Sequence, residues 1–146
     1  MTALSLSFGV PQHGWLVVRL ACETRVRELE VSDVPGDSLL MLATALLDLL
    51  EGRATEAEVT WFLEPLEESW HFRRDGETFS LHVREAGSRQ EPRRFARGTL
   101  AEVIAPICRA LRRLATEEEW SLETAWSQAF PAAEVAILAE RCGVER

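Results

Sequence analysis

Two histidines, His71 and His82, stand in a stretch of alternating apolar and polar residues. Imidazoles placed on one sheet face can share a metal ion or pass a proton. The dipeptide Asp75-Gly76 predicts a two-residue type I′ turn joining strands of about 67–74 and 77–84. Counting outward from it pairs Arg74 with Glu77, Phe72 with Phe79 and Trp70 with Leu81 on an apolar face. His71 and His82 then lie diagonally on the polar face, among Ser69, Arg73, Thr78, Ser80 and Arg84. Catalytic zinc normally takes three protein ligands, so Glu67 or His13 would have to complete a set. Arg73 and Arg84 repel a cation, so the leading expectation is a solvated face with no metal or cofactor. The alternative is a small-molecule or metal site centred on His71 and His82, with enzymatic chemistry there.

The other reactive residues are scattered. His13 sits in a Pro11-Gln12-His13-Gly14 turn with no nucleophile motif beside it. Cys22, Cys108 and Cys142 fall on apolar faces, where cysteine acts as a small hydrophobe. Glu64, Glu67 and Glu68 flank Pro65 and read as a wet loop. Five arginines between Arg84 and Arg97 face only Glu85 and Glu91, a basic stretch able to hold an anion or an acidic partner, or simply a solvated loop. Trp15 and Val17 point away from the apolar face of their strand, and with Phe62 they form a candidate exposed patch. No phosphate loop, nucleophile elbow, zinc-protease or zinc-finger spacing is present.

The elements that must position these residues follow from periodicity. Leu4, Leu6, Phe8 and Val10 alternate, as do Leu16, Val18, Leu20 and Cys22, predicting a hairpin. In a third strand, about 25–31, the apolar parity slips between Val26 and Leu29, which suggests a β-bulge. Asp37 or Ser38 caps a helix that runs to about Glu51 and stops at Gly52. Its leucines cover half the circumference, enough to meet the C-terminal helices or a second subunit as well as a sheet. Val59, Trp61 and Leu63 mark a strand ended by Pro65, and a short strand is possible before Gly98. Thr99 and Glu102 form a capping box for a helix that Pro106 should kink. A helix from Thr116 carries Trp120, Leu122, Trp126 and Phe130, and Pro131 opens a last one.

The order is three strands, a helix, three or four strands, then three helices. This predicts one α+β domain over 1–146, with a largely antiparallel sheet of about six strands packed against helices. The charge of -8, with arginine for all sixteen cations, disfavours nucleic acid and favours a basic protein partner. Three scattered cysteines fit a reducing cytoplasm, and no stretch predicts a signal peptide or a membrane span. The arginine bias fits a GC-rich bacterial genome. In size, acidity and lack of catalytic motifs the chain resembles, by analogy of type, small bacterial interaction proteins, among them immunity proteins that neutralise toxins. The expected function is noncatalytic protein binding through Trp15, Phe62 and Glu64, with homo-oligomerisation through helix 39–50 as a further possibility.

Overall fold

The computed structural model describes residues 4–115, 126 and 129–144. Leu4–Phe8 (β1), Trp15–Cys22 (β2) and Arg25–Ser32 (β3) form an antiparallel sheet in that order. Glu56–Phe62 (β4), Glu67–Asp75 (β5), Thr78–Arg84 (β6) and Arg93–Gly98 (β7) form a second. The helices are Ser38–Leu50 (α1), Ala105–Ala115 (α2) and Ala132–Arg141 (α3). Among the described residues the fold is α+β, with seven antiparallel strands in two sheets and three helices packed against them. One sheet of about six strands was the expectation. The chain instead leaves β3 through α1, and β4 begins a separate sheet that touches β3 without pairing with it.

Asp37 caps α1 by accepting from the Leu40 amide at 3.2 Å, while the buried Ser38 hydroxyl donates to the Thr60 carbonyl at 2.5 Å. Leu39, Leu42, Leu46 and Leu49 are fully buried because β4, β5 and α3 all pack on this helix. Most of its wide apolar stripe is thus covered within the chain, while Leu40 stays exposed. The predicted capping box is present: Thr99 Oγ1 accepts from the Glu102 amide at 3.3 Å, and Glu102 Oε1 accepts from the Thr99 amide at 2.9 Å. Pro106 does not kink a continuous α-helix. A π-helical turn, Leu100–Ile104, precedes α2, with the Ala105 amide bonded to the Leu100 carbonyl, and such a wider turn makes room for a ring that lacks its own N–H. The helix expected from Thr116 falls mostly outside the described residues; of its bulky side chains Trp126 is buried and Phe130 partly so.

Two register expectations need correction. Asp75 pairs with Thr78, so the hairpin turn is Gly76-Glu77, with positive φ (62°) at Gly76 alone among the two, as a type II′ turn requires. Phe72 therefore faces Leu81, Trp70 faces Val83, and His71 stands directly opposite His82. A slip of two residues preserves the alternation, which is why the apolar face was legible although its partners were not. In β3 the predicted bulge is absent, since all eight residues pair in step with β2. Val26 is exposed, and Arg27 takes the inward place opposite the buried Leu20. A bulge occurs instead in β7, between the partners of Leu81 and His82, where Phe95 and Ala96 are both buried.

Candidate functional site

The inner face of the three-stranded sheet is closed by Leu16, Val18, Leu20, Leu29 and Val31. Its outer face shows Trp15 at 39% and Val17 at 40% exposure, with Val26 at 46% opposite Ala21. Glu30 lies across from Val17, and Glu28 across from Arg19. The apolar centre is therefore bordered by two carboxylates and one guanidinium. Tight turns set this strand in place: Gly14 has φ 81°, and its carbonyl accepts from the Asp33 amide at 2.9 Å. A Cβ on Gly14 would lie 2.9 Å from Asp33 Oδ1, so a bare backbone is required there.

The predicted patch residues are only partly brought together. Trp15 faces Ser32 on the first sheet, whereas Phe62 ends β4 in the second. The segment from Ser32 links them, since Phe62 is half-buried with its ring against Gly36. Glu64 is exposed in the β4–β5 connection, with φ 47° and a cis bond to Pro65.

On the outer face of the second sheet the pairing aligns Glu58, His71, His82 and Arg94 in one row across four strands. His71 Nε2 is 4.0 Å from Glu58 Oε2. Burial, then Arg94, His71 and Arg73, hold the His82 imidazole below its ordinary range. Among the described residues no three His, Cys, Asp or Glu side chains are grouped closely enough to hold a metal. The row grades from an acidic β4 to a basic β7, and a proton on His82 is opposed from both neighbouring strands.

The expectation of a wet loop fails at Glu68, which is fully buried. Its carboxylate accepts from Arg27 Nη2 at 2.5 Å, from Trp70 Nε1 at 3.1 Å and from the Ala86 amide at 3.3 Å. The hydrogen bond to Glu68 offsets the cost of burial and raises the Arg27 pKa further above its ordinary value. Arg25, two residues earlier, donates to the Arg94 carbonyl at 2.7 Å and lies over the Phe95 ring. Thus β3 runs along one end of the second sheet and is tied to it by two arginines. An arginine at an inward strand position was the one sequence sign of this joint.

Two of the three free cysteines meet: Cys108 Sγ in α2 is 2.8 Å from Cys142 Sγ at the end of α3. Their hydrogen bond and burial push the Cys108 thiol up, while the same bond, with Arg109 nearby, holds Cys142 below its ordinary value. Spacing could not reveal this contact, because the residues are 34 apart on different helices. No helix among the described residues is long and apolar enough to cross a membrane.

The arrangement thus defines an α+β chain with an open aromatic sheet face and a charged joint between its sheets. Comparison with protein-family models, with curated proteins and with solved structures finds no match to it.

Proposed function

We propose that this chain is a noncatalytic protein-binding module that docks through the outer face of the β1–β3 sheet. The observation carrying this reading is Trp15 and Val17 exposed two residues apart on a face whose other side is fully packed. Half-exposed tryptophans are the side chains that most often dominate binding energy when a partner dries them. Glu28 and Glu30 border the apolar centre, so the complementary partner surface has an apolar middle and a basic rim, and Glu64, exposed in the β4–β5 connection, would add to the acidic side. Phe62, half covered by Gly36, contributes at the edge. A cytoplasmic location fits the three free thiols.

Native mass spectrometry of the protein purified from its own host tests the reading. The expected species is a complex with a second polypeptide. Trp15→Ala should then weaken that complex about 30-fold or more, the loss of a hot-spot side chain, and Glu64→Arg should weaken it less. Binding unchanged in both variants would rule out this face. A metal ion retained by the wild type and lost in His71→Ala would favour the histidine row instead, and a bare oligomer would point to α1, where Leu40 remains exposed.

A further inference from the structure

We propose that the cleft between β3 and the adjoining end of the second sheet binds a small organic anion, a carboxylate or phosphate monoester with an apolar or aromatic body. The cleft has a volume of about 440 Å³, within the range of small-molecule sites. Arg25, Arg27, Arg84, Arg93 and Arg94 line it, in a chain whose net charge is -8. Arg27 is already committed to Glu68, so four guanidinium groups remain against the lining carboxylates Glu85 and Glu91. Val26, Val83 and Phe95 supply the apolar wall.

These guanidinium groups are partly held in place before any ligand arrives. Arg25 is fixed by the Arg94 carbonyl at 2.7 Å and by the Phe95 ring, its cation 5.3 Å from the ring centre. Arg93 Nη2 donates to Gln90 Oε1 at 3.1 Å. Arg84 Nε is buried without a hydrogen-bond partner among the described residues. A buried N–H left unpaired is costly; it is closed to solvent as the side chain stands, so an oxyanion gains it only when the Arg84 guanidinium, which lines the cleft, turns toward the ligand. Guanidinium forks match the paired oxygens of carboxylate and phosphate, whereas the mixed apolar wall selects an organic body over a bare inorganic ion.

The test titrates phenyl phosphate, benzoate and phenol into isotopically labelled protein at about 0.15 M salt, where loose surface attraction is screened. Nuclear magnetic resonance then follows the Arg84 side-chain N–H and the Val83 and Phe95 amides. The expected result is saturable shifts with at least one anion and none with neutral phenol; the tighter anion identifies the headgroup. Arg94→Gln and Arg93→Gln, both at exposed positions, should weaken binding about tenfold each. Arg109→Gln, on the outside of α2, should leave it unchanged. Shifts that never saturate, no shift with either anion, or equal weakening by Arg109→Gln would overturn the site.

Discussion

His82 is placed where a positive charge is unwelcome. His71 faces it from β5, Arg94 from β7, and Arg73 and Arg97 lie on the same face, with Glu58 one strand further away beside His71. Its folded pKa is depressed, so at pH values between that pKa and about 6.5 the unfolded chain binds more protons than the folded one. The stability difference is fully present above the unfolded value and is lost as the pH falls toward and through the folded one. Urea midpoints should therefore drop between pH 7.5 and 5.5, and His82→Gln should reduce that drop. An identical drop in the variant would assign the pH dependence elsewhere. The shared polar face of these histidines was legible from alternation alone. Their direct opposition was not, because Asp75-Gly76 and Gly76-Glu77 are both acceptable two-residue turns and only the tertiary pairing decides between them.

At the scale of elements, local chemistry was readable wherever its partners were close in sequence. Asp37 with Leu40, Thr99 with Glu102, and the β1–β2 alternation each act within a few residues. The meeting of α2 and α3 at Cys108 and Cys142 has no such local sign. Cys142 is the partly exposed thiol and Cys108 the buried one, and the shared hydrogen bond lowers Cys142, so Cys142 should be the nucleophile. With oxidised glutathione it should attack one sulfur and release one glutathione thiolate. Cys108 then displaces the second glutathione, leaving one intramolecular disulfide and two reduced glutathiones. The protein mass should fall by two hydrogens, and a peptide map should join the two cysteine peptides. Closing this loop should raise stability by about 2–4 kcal/mol. A lasting glutathione adduct on Cys142 with no cross-link would show that the end of α3 does not approach Cys108 of α2.

For the whole molecule, no strand hydrogen bonds among the described residues join the two sheets; the Arg27–Glu68 pair, the Arg25 contacts and a common core do. Arg27→Ala would leave the Glu68 carboxylate buried with only the Trp70 and Ala86 donors, and should cost about 3 kcal/mol in urea unfolding. Glu68→Gln combined with Arg27→Met should cost less, because no uncompensated charge remains inside. Equal losses in the two variants would show that packing, not charge, holds the joint. The α+β class and segregated order were legible because each element has its own period. The division into two sheets was not, since no local period says whether β4, arriving after α1, will pair with β3 or begin a sheet of its own. The pairing of Arg27 with Glu68 explains the broken apolar parity at Val26, which the sequence alone suggested was a bulge.

The distribution of indoles gives the open sheet face an optical signature. Trp61 and Trp70 are sealed and in ring contact, and Trp126 is buried, whereas Trp15 alone among the described tryptophans is solvent-facing. In a Trp120→Phe background, a collisional quencher such as acrylamide would reach one indole, and its emission would report directly on the face. Docking of any protein there would shield that indole and shift its emission to the blue, so occupancy becomes readable by fluorescence without a label.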